Sequence, residues 1–112
     1  MKKMMTSILV FSLVFCLAST AMAMRVYVGN MPVDWSIADL NELFYDRDYG
    51  QDIKSSGFFR TSPGAPRCGW AELDITRTEF YDLIEDINGY EVYDDDGQRY
   101  TLMADDSYVC PR

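Results

Sequence analysis

Two stretches of helical apolar period, each opened by a capping box, sit among runs of β-branched and aromatic residues and fix the order of elements in this chain. Ser36 is followed three residues later by Asp39, and Ile37, Leu40, Leu43 and Phe44 recur at helical spacing until Tyr49-Gly50. That pattern predicts a helix over residues 36 to 47. Thr76 with Glu79 repeats the cap, and Phe80, Leu83, Ile84 and Ile87 make a second core-facing stripe that stops at Asn88-Gly89. Strands are expected over 25 to 29, 53 to 60, 68 to 73 and 99 to 104. The first ends at Asn30-Met31-Pro32 because proline cannot donate to a ladder. Thr61 to Pro66 and Asp94 to Gly97 read as turns. The resulting β-α-β-β-α-β order predicts an α+β fold. The expected form is a ferredoxin-like sandwich of one four-stranded antiparallel sheet with two helices on one face.

The residues ahead of this pattern read as an export leader. Lys2 and Lys3 give a basic start, Ile8 to Ala18 a mostly apolar run, and Ala21 and Ala23 the small residues that a signal peptidase requires. The run falls short of the roughly 20 residues a spanning helix needs, so no stable membrane anchor is expected after cleavage. Bulky Phe15 before Cys16 speaks against a lipoprotein site. The expected division is a signal peptide over 1 to 23, a domain over 24 to 106 and a tail over 107 to 112. The product is then exported, periplasmic or secreted; translation from Met24 would instead leave it cytoplasmic.

Loss of Lys2 and Lys3 from 10 basic residues leaves 8 against 18 acidic ones, a net charge of −10. Cleavage also leaves two cysteines, Cys68 and Cys110, an even count that in an oxidising compartment suggests one disulfide. The chain has no histidine, which removes the commonest general base and the commonest transition-metal ligand. No serine or cysteine has a candidate base partner. Asp94-Asp95-Asp96 lacks the ligand spacing of a calcium loop. The expectation is a binding module and not an enzyme, with no metal, cofactor or small-molecule substrate.

Val26-Tyr27-Val28-Gly29-Asn30-Met31 and, downstream, Gly69-Trp70-Ala71 carry a resemblance over residues 25 to 106 to the RNA recognition motif family. Val26-Tyr27-Val28-Gly29-Asn30-Met31 is similar to the family's six-residue signature at every position, with methionine for the usual leucine. Trp35-Ser36, Asp39-Leu40, Leu43-Phe44 and Tyr49-Gly50 follow the spacing of its first helix, and Ile87-Asn88-Gly89-Tyr90 is similar to the end of its second. The eight-residue signature matches in part. With Gly69 on its glycine, Trp70 takes the first platform aromatic, while Cys68 replaces the basic opening residue and Glu72 the second aromatic.

The resemblance implies single-stranded RNA stacked on the open sheet face by Tyr27 and Trp70. Asn30 would shape the strand end, and Arg67 would stand in for the basic residue that Cys68 replaces. Stacking is worth about 1 to 3 kcal/mol per base, so two aromatics would supply roughly 2 to 6 kcal/mol. Strand alternation sets Cys68, Trp70 and Glu72 beside Tyr27, and an ionised Glu72 there repels phosphate. The fold would also gather Arg60, Arg67 and Arg99 at one sheet edge as a small basic corner; the alternative is three separate surface arginines. Two readings of the aromatics stay open, a nucleic-acid platform or strand formers covered by the tail or by a partner. The second function class is an exported protein-binding module that keeps the fold without binding RNA. Cys110 lies about five residues past the last strand, a reach of about 17 Å at roughly 3.3 Å per residue. A bridge from Cys68 to Cys110 would therefore lay the tail over Trp70.

Overall fold

The structure is a computed structural model, and it describes residues 20 to 107. Cys16 and Cys110, most of the expected leader and nearly all of the expected tail lie outside those residues. The chain runs β1 (Met22–Met31), α1 (Ile37–Tyr45), a short 3-10 turn (Gly50–Asp52), β2 (Ile53–Phe58), β3 (Arg67–Ile75), α2 (Arg77–Ile87), β4 (Glu91–Tyr93), β5 (Arg99–Thr101) and β6 (Met103–Asp105). It is an α+β fold in which four antiparallel strands form one sheet, in the order β2-β3-β1-β6. A separate two-stranded sheet pairs β4 with β5.

Both expected caps form. The Asp39 amide donates to Ser36 Oγ at 3.3 Å, and the Ser36 amide donates back to the Asp39 carboxylate at 2.8 Å. The Glu79 amide donates to Thr76 Oγ1 at 3.2 Å, and the Thr76 amide to Glu79 Oε1 at 3.0 Å. Each box satisfies amides that the first helical turn leaves without intrahelical partners. Leu40, Leu43 and Phe44 of α1 and Phe80, Leu83 and Ile87 of α2 are buried in one cluster with Val26, Val28, Ala71 and Leu73 of the sheet. Ile37, on the edge of the expected stripe, stays 39% exposed.

The central strands are longer than expected. β1 begins at Met22 and pairs with β3 from Met22↔Ile75 through Val28↔Gly69, so cleavage after Ala23 would remove two rungs of this ladder. At the other end the register shifts between Val28 and Met31, where Asn30 takes a positive φ of 61°. Asparagine tolerates that left-handed conformation better than most residues. Its side-chain amide donates to the Thr101 carbonyl at 2.8 Å and ties the end of β1 to β5.

The expected last strand over 99 to 104 is split, and Leu102 is the reason. Its side chain is fully buried, its amide donates to the Tyr90 carbonyl at 2.8 Å, and its carbonyl accepts from the Gly89 amide at 2.8 Å. Both backbone groups are thereby committed to the segment after α2. Only Met103 to Asp105 continue along β1, and Arg99 to Thr101 turn back on Glu91 to Tyr93.

Tyr49 follows α1, with its amide donating to the Phe44 carbonyl at 2.7 Å. Burial pushes its phenol above the ordinary tyrosine value, and the negative charges of Glu79, Asp82, Asp86 and Asp52 push the same way. The folded state therefore holds this proton more tightly than the unfolded chain does. Its contribution is fully present below the unfolded value of about 10 and is lost as pH rises through the higher folded value. Urea denaturation across that alkaline range should show stability falling with pH in the wild type. Tyr49→Phe should fall less steeply, and equal slopes would show that Tyr49 plays no part.

Candidate nucleic-acid interface

Strand alternation places one set of β1 and β3 side chains in the core and the other on the open face. Tyr27 and Trp70 are direct partners across β1 and β3, and Gly57 of β2 faces Trp70 from the other side. The glycine matters here. A Cβ at position 57 would approach the indole ring to 3.2–3.4 Å, so the missing side chain leaves room for Trp70 beside β2. Phe59, just beyond β2, prolongs the pairing through its amide, which donates to the Cys68 carbonyl at 2.8 Å. Its ring stacks on Tyr27 with centroids 6.2 Å apart and planes within 10°. The open face thus carries three half-buried aromatics, Tyr27, Phe59 and Trp70.

Arg25 completes this face. Its guanidinium lies 4.2 Å from the centre of the Trp70 ring and 3.7 Å from the Glu72 carboxylate. The anion expected to stand alone beside the aromatics therefore has a cation against it. An exposed pair of this kind stabilises the fold by at most about 1 kcal/mol, and it offsets the charge of Glu72, while Asp105, in register with Tyr27, keeps a carboxylate on the same face. Neither Phe59 nor Arg25 was singled out from the sequence. Both were accessible by parity, since Arg25 lies two residues before Tyr27 and Phe59 two after Gly57.

The three arginines expected at one corner have separate surroundings. Arg67 pairs in register with buried Met31, on the side of β3 shared by Gly69 and Ala71, and its guanidinium lies 4.3 Å from the centre of the Phe58 ring. It thus faces away from Trp70. Arg99 belongs to the β4–β5 sheet and lies 3.7 Å from Glu91. Arg60 is exposed past the end of β2. Asn30 serves the strand end, as the Thr101 bond shows.

Cys68 shares the parity of Trp70 and Glu72, yet it is fully buried and disulfide-bonded. The chain's other two cysteines, Cys16 and Cys110, both lie outside the described residues. The acidic run is a turn. Asp94 Oδ1 accepts from the amides of Asp96 at 2.9 Å and Gln98 at 2.8 Å, and Gly97 supplies the positive φ of 83°. The Asp34 carboxylate accepts from the Asp95 amide at 3.1 Å, and its charge raises the Asp95 carboxyl above the usual range. Among the described residues no group of three or more acidic, cysteine or histidine side chains could hold a metal ion, and no helix is long and apolar enough to cross a membrane.

No protein-family model matches the chain, and no curated protein matches it.

A guanidinium over an indole at the surface contributes about 0.5 to 1 kcal/mol and shields one face of the ring. In a Trp35→Phe background, where Trp70 is the sole tryptophan, Arg25→Ala should raise acrylamide quenching of its fluorescence and lower stability by about that amount. Unchanged quenching would show that Arg25 does not cover the ring.

Proposed function

We propose that the chain is an exported RNA recognition motif domain of ferredoxin-like βαββαβ type that binds single-stranded RNA on its open sheet face. The observation that carries this reading is the cluster of Tyr27, Phe59 and Trp70 on adjacent strands with Arg25 among them. Tyr27 and Phe59 offer stacking surfaces, and Trp70 offers a third where a base displaces the Arg25 guanidinium from its ring; stacking tolerates any base. Setting aside the β4–β5 hairpin, the element order and the central position of β1 and β3 are consistent with the family fold. The activity is binding, with no catalytic step and no cofactor.

The acidic surface works against phosphate contacts, so affinity should come mainly from stacking, with a shallow dependence on salt. Titration with a mixed-sequence single-stranded RNA should show binding that Tyr27→Ala, Phe59→Ala and Trp70→Ala each weaken by about 1 to 3 kcal/mol. Arg25→Ala, which leaves Glu72 without its cation, should weaken binding most at low salt, where repulsion of phosphate is least screened. Absence of binding at low salt, or binding indifferent to all three aromatic substitutions, would reject the reading in favour of a protein-binding module.

We also propose Cys110 as the disulfide partner of Cys68, because removal of the leader takes Cys16 with it. The burial of Cys68 on the open face supports a covering segment there. Peptide mapping of the non-reduced exported protein should recover a peptide joining Cys68 to Cys110. Two free thiols, or a bond from Cys68 to another chain, would overturn the pairing.

A further inference from the structure

On the helix side of the molecule, away from the aromatic sheet face, lies a recess of about 170 Å³. Trp35 and Tyr90 stand beside it, Leu43 and Val92 supply apolar lining, and Asp39, Glu42 and Asp46 bring three carboxylates to it. The carboxylates recur along α1 and its C-terminal cap at spacings of three and four residues, which places them on one stripe. Like charges at that spacing repel one another, so the stripe is destabilising unless a cation offsets it. Asp39 is partly occupied by the amide and hydroxyl of Ser36. Among the described residues neither Glu42 nor Asp46 has an ion-pair partner.

The neighbouring cation is committed elsewhere. Arg47 donates to the Leu43 carbonyl at 2.9 Å, and its guanidinium lies 4.6 Å from the centre of the Tyr90 ring. Tyr90 already carries that guanidinium, so Trp35 is the aromatic of the recess left to a cation from outside, and Glu42 and Asp46 have no ion-pair partner among the described residues.

We propose that this recess is a docking site for an arginine side chain of a basic protein segment. The volume is close to the roughly 150 Å³ of a void that holds a benzene ring, and a guanidinium is a flat group of smaller size. Arginine stacks on aromatic faces and presents a fork of donors to carboxylates, whereas lysine offers a compact point charge. Three carboxylates exclude a phosphate-bearing ligand here, so the site is chemically distinct from the sheet face. The net charge of −8 over the whole sequence favours encounter with a basic partner. The site extends the proposed function and does not depend on it.

The test is a titration of the purified protein with a short glycine-serine peptide carrying one arginine, followed by the NMR signal of the Trp35 indole N–H. The arginine peptide should shift this signal to saturation, and the same peptide with neutral citrulline should not. Glu42→Gln and Asp46→Asn, both exposed positions, should each weaken binding roughly fivefold or more, the fold-change of about 1 kcal/mol. Single-stranded RNA binding by these two variants should not fall, which separates failure of this site from failure of the sheet face. No shift with arginine, equal shifts with citrulline, or full affinity in both variants would overturn the proposal. A shift of Trp35 by oligouridine alone would overturn it as well.

Discussion

The antiparallel pairing of β1 with β3 is the interaction on which the rest of the molecule depends. It runs from Met22↔Ile75 to Val28↔Gly69 and lies at the centre of the sheet, so both strands have neighbours on each side. One register sets two surfaces at once. Val26, Val28, Ala71 and Leu73 enter the core beneath both helices, while Tyr27, Trp70, Arg25 and Glu72 meet on the other face. A slip of one residue would exchange the two sets, burying charge and exposing valine. The hydrophobic core thereby holds the aromatic face in place. Gly69 shows how tight this centre is, because a Cβ there would run into the carbonyl oxygen of Gly57.

The far edge of the sheet is governed by backbone hydrogen bonds around one buried side chain. Leu102 fills the core and gives both its backbone groups to Gly89 and Tyr90. That arrangement ends the ladder along β1 after three residues and folds the chain into the β4–β5 hairpin. Asn30 and Asn88 close the seam, the first donating to the Thr101 carbonyl and the second accepting from the Ala104 amide at 3.1 Å. Side-chain amides of this kind satisfy backbone groups that a broken ladder would otherwise leave unpaired.

Charge is distributed unevenly between the two faces. Excess carboxylates lie along α1 and in the Asp94 to Asp96 turn, where neighbouring Asp34 raises the Asp95 carboxyl. On the sheet face the cation Arg25 sits against Trp70 and Glu72 and offsets that carboxylate, while Asp105, in register with Tyr27, brings a second carboxylate to the same face. The same acidic chain thus offers an aromatic surface on which one of the neighbouring carboxylates is offset, and a separate recess of anionic character. Net charge alone would have merged the two.

Much of the fold was legible in the chain itself, because it rests on local rules. Ser36 with Asp39 and Thr76 with Glu79 carry their own capping partners, and the apolar stripes behind them have one side to bury. Alternation along β1 and β3, joined to the family resemblance that makes these strands neighbours, likewise set Tyr27 and Trp70 on a shared face, and the register bears this out. Tertiary structure alone decided the rest. Nothing local to Arg25 says that it will lie over Trp70, since that needs the β1–β3 register, and nothing local to Arg67 directs it onto Phe58 and away from the open face. The split at Leu102 depends on Gly89 and Tyr90, a whole hairpin earlier in the chain, and on a core position that only the assembled helices and sheet create. Sequence determined the elements and their faces through period and capping. Register and long-range hydrogen bonds determined which side chains met.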